Sequence, residues 1–232
     1  MTAQAGGAIS SAADATRRQL RRQFRAVRRA LTPLLRARAS KAAARILARH
    51  GLPRPGSRVA VYLPADGEFD PAAIVRLALT RGCTVYLPVI RSRRAWRMCF
   101  GPLDAPRRAW RRNYFGCMEP GALPRLLVAA RSLDLVLVPL VAFDAHCNRL
   151  GMGGGYFDRA FAYQRRHARW RRPRLLGLAF ECQQAPALAA EAWDVPLAGV
   201  LTEAQLLRRP RTSIRGAEPV RPPPAPVARN PV

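Results

Sequence analysis

The sequence predicts an α/β fold: a single three-layer domain with a mostly parallel sheet and an N-terminal helical segment. The short apolar runs Val59–Leu63 and Thr84–Val89 flank the helical stretch Pro71–Thr80, and strand–helix–strand alternation is typical of parallel sheets covered by helices. The chain has 232 residues, of which 49% are apolar. This is enough for one buried core of this kind and too little for two comfortable domains.

The N-terminal helical segment is predicted from periodicity. Four apolar residues recur at helical spacing and share one face: Leu20, Phe24, Val27 and Leu31. Thr32 and Pro33 then supply an N-cap and a first helical residue. We therefore expect a second helix that runs to about His50 and stops at Gly51.

The rest of the sheet is predicted from the remaining apolar runs. Trp96–Phe100 indicates an added strand, and Leu133–Ala142 is the clearest candidate for the central strand. A helix at Tyr156–Arg169 should separate this strand from another at Leu175–Phe180. Leu197–Leu201 indicates a last short strand.

Composition predicts the boundaries of the folded part. Residues 1–15 are small and polar, and the sequence after about Leu207 is rich in proline and arginine with almost no core-forming residues. Such segments bury too little apolar surface to offset their ordering entropy. We therefore expect a disordered extension at 1–15, a folded domain at 16–207 and a disordered tail at 208–232.

Charge restricts the function classes without selecting one. The net charge of +26 attracts nucleic acid, anionic membranes and phosphorylated small molecules alike. Lys41, the only lysine, lies in an alanine-rich helical run, so the lysines of a P-loop, a protein kinase or a pyridoxal-phosphate enzyme are missing. A basic nucleic-acid-binding protein remains an alternative, although no binding signature of that class appears.

Cysteines, histidines and hydropathy exclude further classes. The 5 cysteines and 3 histidines are scattered without Cys-x-x-Cys spacing, so we expect reduced thiols and no zinc centre. The most continuously apolar stretch, Leu133–Phe143, falls short of the roughly 20 residues of a membrane span. The first fifteen residues lack the apolar region of a secretory signal, and we expect a cytoplasmic protein.

The sharpest functional signal is the glycine-rich segment from Arg149 to Asp158. It follows a buried strand and opens a predicted helix, where glycines let backbone N–H groups converge on an anion. Asp158 in the first helical turn would suit Mg²⁺ bound to phosphate oxygens. The segment lacks the Gly-Lys-Ser or Gly-Lys-Thr of a Walker loop, and Tyr156 replaces a glycine of the dinucleotide fingerprint. A tight turn without a ligand is the alternative.

Other residues supply weaker signals. Arginines recur at helical spacing from Arg17 to Arg29, and we expect most of them to form a solvated basic face. Glu68 lies just beyond the first predicted strand, at the edge where ligands gather in open α/β sheets. Asp194 is either an isolated acid or a second carboxylate near the metal. The pair Tyr114-Phe115 either packs in the core or stacks on a flat ring.

A series of motifs runs through the chain from about Arg17 to Glu203. In order they are Arg17-x-x-x-Arg21 with Arg28-Arg29-Ala-Leu-Thr, Val61-Tyr-Leu with Gly67-Glu68, Tyr114-Phe-Gly-x-x-Glu-Pro120, Val138-Pro-Leu-Val-Ala-Phe-Asp144, Arg149-Leu-Gly-Met-Gly-Gly-Gly-Tyr-Phe-Asp158-Arg, Gly177-Leu-Ala-Phe-x-x-Gln183 and Trp193-Asp-Val-Pro196. Taken together, these motifs resemble the 5-formyltetrahydrofolate cyclo-ligases, also called methenyltetrahydrofolate synthetases. The Arg149–Arg159 block is the most specific of them.

The resemblance implies a reaction, the ATP- and Mg²⁺-dependent conversion of 5-formyltetrahydrofolate to 5,10-methenyltetrahydrofolate with release of ADP and phosphate. ATP would phosphorylate the formyl oxygen, the second folate nitrogen would close on the activated carbon, and phosphate would leave. Such chemistry needs positioning and charge neutralisation more than a side-chain nucleophile, so no catalytic nucleophile is assigned. The folate substrate would be accepted with or without a polyglutamate chain.

The resemblance also implies roles for individual residues. ATP would be bound by Arg17, Arg21, Arg149, Leu150, Gly151, Met152, Gly153, Gly154, Gly155, Tyr156 and Phe157. The folate pocket would be lined by Leu63, Glu68, Phe115 and the backbone of Met152, Gly153, Gly154, Gly155 and Tyr156. Mg²⁺ would be bound by Asp158 and Asp194.

This sequence departs from the family pattern at two of these positions. Arg17 stands where lysine is common, which keeps the charge but changes its geometry, and Phe115 stands where some members have tryptophan. We expect a monomer that needs neither nucleic acid nor a membrane. A catalytically inert folate or nucleotide binder is a further alternative, and the retained Asp158 and Glu68 argue against it.

Overall fold

A seven-stranded sheet forms the centre of the protein. The computed structural model describes residues 4–92, 97–113, 116–121, 123–166 and 172–210. The strand order is β11-β10-β9-β6-β1-β2-β3. Strands β10, β9, β6, β1 and β2 run parallel, and an antiparallel strand closes each edge. The mostly parallel sheet predicted from the sequence is therefore confirmed.

The elements have the following bounds. The strands are β1 (Arg58–Ala60), β2 (Thr84–Ser92), β3 (Arg97–Pro102), β4 (Arg111–Arg112), β5 (Met118–Glu119), β6 (Leu135–Pro139), β7 (Ala142–Phe143), β8 (Arg149–Leu150), β9 (Arg174–Leu178), β10 (Gly199–Leu201) and β11 (Leu206–Arg208). The helices are α1 (Gln4–Ala30), α2 (Pro33–Arg49), α3 (Ala72–Thr80), α4 (Tyr156–Ala160) and α5 (Tyr163–Arg166). Two further pairs, β4 with β5 and β7 with β8, form small antiparallel ladders outside the main sheet.

Side chains of the central strand β6 alternate between two cores. Leu135 and Leu137 pack in the core that also contains residues of α2 and α3. Val136 and Val138 pack in the opposite core, which contains Phe161. Because successive strand residues point to opposite faces, this near-continuous apolar strand is buried on both sides, and the domain has three layers.

Helix α2 begins and ends where the sequence predicts. The Thr32 hydroxyl accepts a hydrogen bond from the Leu35 N–H at 3.3 Å, and Pro33 is the first helical residue. The helix ends at Arg49, and Gly51 has a φ of 69°, a left-handed conformation that glycine adopts without steric cost.

Helix α1 differs from its predicted form at two points. It begins at Gln4, inside the segment 1–15 that the sequence assigns to a disordered extension; alanines in that segment favour helix. Its buried face is also rotated, because Val27 is 37% exposed whereas Arg28 is fully buried. The domain boundaries stay a prediction, and residues 211–232 of the predicted tail lie outside the described residues.

Two other predicted elements are interrupted. The single strand expected at Leu133–Ala142 is divided into β6 and β7, because the chain turns after Pro139 so that β7 can pair with β8. The helix expected at Tyr156–Arg169 is divided into the short α4 and α5, and Phe161 between them is fully buried against Phe100, with ring centroids 6.0 Å apart. Residues 167–169 lie outside the described residues.

Helix α1 lies across the carboxyl edge of the sheet. It packs against β7 and the 3₁₀ turn Glu181–Gln183, and Phe24 is buried with Val141, Ala142 and Leu150. Of the helices in the described ranges, none combines the length and the apolar character that crossing a bilayer requires.

Candidate active site

A crevice is expected where the strand order reverses. Strand β1 is flanked by β2 and β6, and the chain continues from β1 to one side of the sheet and from β6 to the other. In open α/β sheets, ligands bind outside the carboxyl ends of the strands at such a switch point. Here the loops that follow β1 and β6 lie at this point, and helix α1 contacts both.

The loop after β1 contains a tight turn that is bound by arginines. Asp66 and Gly67 have φ values of 51° and 72°, and the Glu68 N–H donates to the Ala65 carbonyl at 2.9 Å. This geometry matches a type I′ turn, which favours Asp-Gly. A Cβ on Gly67 would lie 3.4 Å from the Arg29 Cα, so the turn fits closely under α1.

Three arginines of α1 surround the Asp66 carboxylate. Arg25 donates to Oδ2 at 2.7 Å and Arg28 at 3.0 Å, while Arg29 pairs with Oδ1. Burial alone would raise the Asp66 pKa, but the hydrogen bonds from Arg25 and Arg29, with that from Arg28, lower it to about 2. The expectation of a solvated basic face is therefore wrong for Arg28, because this helix face meets a carboxylate and two backbone carbonyls.

Glu68 has the opposite electrostatic character. Its side chain is 14% exposed, and its Oε1 lies 3.9 Å from Arg28 Nη2. The Ala65 N–H donates to Glu68 Oε2 at 3.2 Å. Burial raises the Glu68 pKa, and the Asp66 charge adds to this rise, while the Ala65 hydrogen bond and the Arg28 charge oppose it. Glu68 is thus a shielded acid at the crevice.

The glycine-rich loop lies beside α1. Arg21 Nε donates to the Gly151 carbonyl at 2.9 Å, and a Cβ on Gly153, whose φ is 98°, would lie 3.6 Å from the Arg21 guanidinium carbon. Gly155, with a φ of 64°, caps α4. Because α4 has only 5 residues, it adds less positive potential than the longer helix predicted from the sequence.

Arg149, Asp158 and Val195 form a closed set of bonds. Arg149 Nη2 pairs with Asp158 Oδ1, and Arg149 Nη1 donates to the Val195 carbonyl. The Val195 N–H donates to the same Asp158 oxygen at 2.9 Å. The base of the glycine loop is therefore joined to the segment that carries Asp194.

Asp194 and its neighbours extend this cluster. Burial raises the Asp194 pKa, and the Asp158 charge adds to the rise, as expected for two nearby carboxylates. The Glu191 N–H donates to Asp194 Oδ2 at 2.9 Å, and Arg17 Nη1 pairs with Glu191 Oε1 at 2.9 Å. A cavity of about 170 Å³ is lined by Arg149, Glu191, Asp194 and neighbouring residues.

The two aspartates fit a magnesium ion that is shared with a phosphorylated ligand. Among the described residues, no three His, Cys, Asp or Glu side chains form a metal cluster, so a closed protein cage is not available there. Mg²⁺ usually takes one or two carboxylates and completes its shell with water and phosphate oxygens. Asp158 and Asp194, whose mutual repulsion a cation would relieve, meet that description.

The other predicted site residues fall into three groups. Leu63 and Met152 are 40% and 51% exposed, in the loops after β1 and β8. Leu150 is buried beside Phe24, and the partly buried Tyr156 and Phe157 pack against the core on one sheet face. Phe115 lies outside the described residues.

Two residues that organise the site are not predicted from the sequence. Arg28 and Asp66 connect helix α1 to the loop after β1. The sequence feature that indicates the burial of Arg28 is its spacing from Leu20 and Phe24, which continues the buried helix face by one more turn. An arginine on that face requires acceptors, and the Asp-Gly turn after β1 supplies them.

The fold and the site together define a class. This is an open α/β protein in which helix α1 contacts both loops at the switch point of the sheet and also the glycine loop, and proteins of this class bind ligands at such a switch point. Residues 13–203 match the model of the 5-formyltetrahydrofolate cyclo-ligase family, and the chain belongs to that family.

Individual relatives agree with this assignment. The chain is 33% identical over 191 residues to the 5-formyltetrahydrofolate cyclo-ligase of Haemophilus influenzae, covering 80% of this chain and 96% of that protein. It is 32% identical over 179 residues to the enzyme of the same name from Escherichia coli, covering 77% and 96%. The solved structure of Aquifex aeolicus 5,10-methenyltetrahydrofolate synthetase aligns with a TM-score of 0.64 and 25% identity, covering 87% of this chain and 96% of that one.

Proposed function

We propose that this protein is an ATP- and Mg²⁺-dependent ligase that converts 5-formyltetrahydrofolate to 5,10-methenyltetrahydrofolate, with release of ADP and phosphate. The observation that carries the proposal is the Arg149–Asp158–Val195 bond set, which anchors the glycine loop beside Asp194 in a chain that belongs to the cyclo-ligase family. Ring closure must remove the formyl oxygen, and phosphorylation turns that oxygen into a leaving group.

ATP is assigned to the side of the crevice that contains the glycine loop. Arg21 already contacts this loop and Arg17 lies on the same helix, one turn away, so both provide positive charge next to the triphosphate. Arg149 is nearly buried and bound to Asp158, and we assign it to holding the loop and the acid in place as well as to ATP. The loop residues Gly151, Gly153, Gly154 and Gly155 allow close approach of the backbone.

Asp158 and Asp194 would hold Mg²⁺. When bound, the ion supplies neutralisation of the charge that develops on the phosphate oxygens during transfer. The chain's own part is to keep both carboxylates at the mouth of the loop, which the Val195 N–H and the Glu191 N–H do through hydrogen bonds of 2.9 Å.

The folate is assigned to the side of the crevice formed after β1. Glu68 is a shielded carboxylate that accepts hydrogen bonds from N–H groups, and pterins present such groups. Exposed Leu63 and Met152 provide apolar surface at the same edge, and Phe115 would stack on the flat ring. The positive surface favours folates with acidic polyglutamate chains, and we expect the enzyme to act as a cytoplasmic monomer.

The decisive experiment follows product formation directly. The purified chain is mixed with 5-formyltetrahydrofolate, ATP and Mg²⁺, and the near-ultraviolet absorbance band of the methenyl product is recorded. Growth of the band that requires all three components supports the proposal, and a flat trace from folded protein contradicts it. In that case, equilibrium binding of ATP, folate and RNA at several salt concentrations would distinguish an inert ligand binder from the nucleic-acid binder that the net charge of +26 suggests.

A further inference from the structure

Arg28 occupies the switch point of the sheet. Its side chain has 0% exposure, and it lies on α1, between the loop that follows β1 and the end of β6. Nε donates to the Asp66 carbonyl at 3.0 Å, Nη2 donates to Asp66 Oδ2 at 3.0 Å, and Nη1 donates to the Leu140 carbonyl at 3.3 Å. One guanidinium therefore binds both loops that border the crevice.

The same guanidinium reaches the acid assigned to the folate. Arg28 Nη2 lies 3.9 Å from Glu68 Oε1, and Glu68 is the last residue of the turn that Arg28 binds. We propose that Arg28 is a positioning residue that fixes Glu68 toward the folate by joining the turn after β1 to the end of β6. This inference rests on the proposed function, because Glu68 is its folate contact.

Arginine suits this position and lysine does not. The three bonds diverge from one planar group toward a carboxylate and two carbonyls on separate loops. A guanidinium presents five donors in a rigid fork, whereas an ammonium is a compact point charge. Lysine would preserve the charge near Glu68 but could not hold both loops at once.

The neighbouring Arg29 provides a matched comparison. It also pairs with Asp66, but its side chain is 54% exposed and it approaches the turn from the solvent side. Its bond joins α1 to the turn alone, whereas the Arg28 bonds also include the loop that follows β6. If Arg28 served only to hold Asp66 in the folded turn, any arginine bound to Asp66 could do the same. Replacing Arg28 and replacing Arg29 would then change KM for folate to a similar extent.

Several charges act on Glu68, and they set the sign of the expected pH effect. Arg28 approaches from α1, while Asp66 and the buried phenol of Tyr62 belong to the segment after β1. The loop that follows β6 contributes the uncharged Leu140 carbonyl. Among these groups, Arg28 lowers the Glu68 pKa and Asp66 raises it. Replacing Arg28 by a neutral side chain therefore raises this pKa, so the ionised form is lost at a higher pH.

The test compares Arg28→Met, Arg28→Lys and Arg29→Met in the full chain. For each variant, KM for folate, KM for ATP and the pH profile of kcat/KM for folate are measured after unfolding curves establish that it folds. We expect both Arg28 variants to raise KM for folate, on the order of 10²-fold for a misplaced contact, with KM for ATP within about twofold. Arg28→Met should also move the acidic limb of the profile to higher pH, whereas Arg28→Lys should leave it close to wild type.

The outcomes separate this inference from the proposed function. A wild type without turnover contradicts the proposed function itself. If the wild type is active, equal effects on both KM values, or an Arg29→Met effect as large as that of Arg28→Met, overturn the positioning role. If Arg28→Met does not fold, the KM values of Arg28→Lys decide, and failure of both variants to fold would leave Arg28 a structural residue and overturn the proposal.

Discussion

Two arginine–aspartate pairs border the crevice, and their surroundings differ in charge. Arg28 and Asp66 lie on one side, with side-chain exposures of 0% and 21%; Arg149 and Asp158 lie on the other, with 6% and 20%. Asp66 is contacted by three arginines, and its pKa is about 2. Asp158 pairs with Arg149 and stands near Asp194, whose pKa is raised by burial and further by the Asp158 charge.

The comparison shows that burial and residue type do not decide the role of an ion pair. Around Asp66 the cations outnumber the acids, so its carboxylate is saturated by the protein and serves to hold a turn. Asp158 instead lies near a second acid, Asp194, and the proposed function uses both carboxylates to hold a cation. Similar pairs thus differ in whether further arginines or a second acid surround the aspartate.

The largest expected effect is at Asp158. Asp158→Ala should abolish Mg²⁺-dependent turnover, lowering kcat by at least about 10²-fold, because the remaining Asp194 cannot hold the ion and the loop alone. Asp158→Asn keeps an oxygen for the Val195 N–H and should be similarly inactive but better folded. The absorbance assay measures turnover, and thermal melting followed by circular dichroism measures folding.

A control for Asp158 comes from the amino end of β6. Asp134 pairs with Arg172 at 3.2 Å, with both side chains substantially exposed, and Asp134→Asn should leave turnover unchanged. If folded Asp158→Ala keeps near-normal activity, Asp158 has no catalytic role, and its surroundings cannot be contrasted with those of Asp66.

The next effect concerns Glu68, which shares its turn with Asp66. Glu68→Gln should raise KM for folate about 10- to 100-fold, since hydrogen bonds to charged groups contribute about 1.5–3 kcal/mol, and KM for ATP should stay unchanged. Initial rates at varied folate and varied ATP provide the measurement. A change confined to KM for ATP would mean that the two sides of the crevice have been assigned the wrong way round.

A smaller effect is expected in the glycine loop. Gly153 has a φ of 98°, and alanine at such a position is strained by about 1 kcal/mol or more, so Gly153→Ala should raise KM for ATP several-fold. Gly82→Ala is the matched control, because Gly82 also has a positive φ, 66°, with no atom within 4 Å of a Cβ, and it lies between α3 and β2, outside the predicted ATP contacts. Equal ATP kinetics for the two variants would argue against a role for the Gly153 conformation.

The smallest effect on turnover, together with a pH-dependent effect on the free energy of unfolding, is expected at Asp66. Its folded pKa of about 2 lies below the usual value of 3.8, so its ionised form stabilises the fold at a pH above that usual value. This contribution is lost as pH falls from about 4 to about 2. Urea unfolding of wild type and Asp66→Asn across that range should converge toward low pH. Parallel curves would show that the three arginines do not depress this pKa.

Much of the fold follows from local pattern. The Thr32-Pro33 start of α2, the Asp66-Gly67 turn and the apolar β6 strand each result from short-range preferences that the sequence displays directly. The burial of Arg28 could not be predicted in this way, because its acceptors come from loops 38 and 112 residues away in sequence. Likewise, Val27 is exposed because tertiary contacts rotate α1 about its axis.

Sequence separation also determines which parts of the candidate site can be predicted. The glycine loop and Asp158 are contiguous, so one segment of sequence indicates both. The link between Asp158 and Val195, and so the place of Asp194, depends on a contact across 37 residues. That contact was available only through the resemblance to the cyclo-ligase family.

The position of α1 also has a consequence for the order in which the protein folds. Arg17 binds Glu191, which lies 174 residues further along the chain, and Arg21 binds Gly151 across 130 residues. During synthesis from the N-terminus, α1 leaves the ribosome long before these partners exist, and contacts of such high sequence separation form late. Until then, the amino end of the helix is without the partners that hold it, whereas Arg25, Arg28 and Arg29 can reach Asp66 much earlier in synthesis.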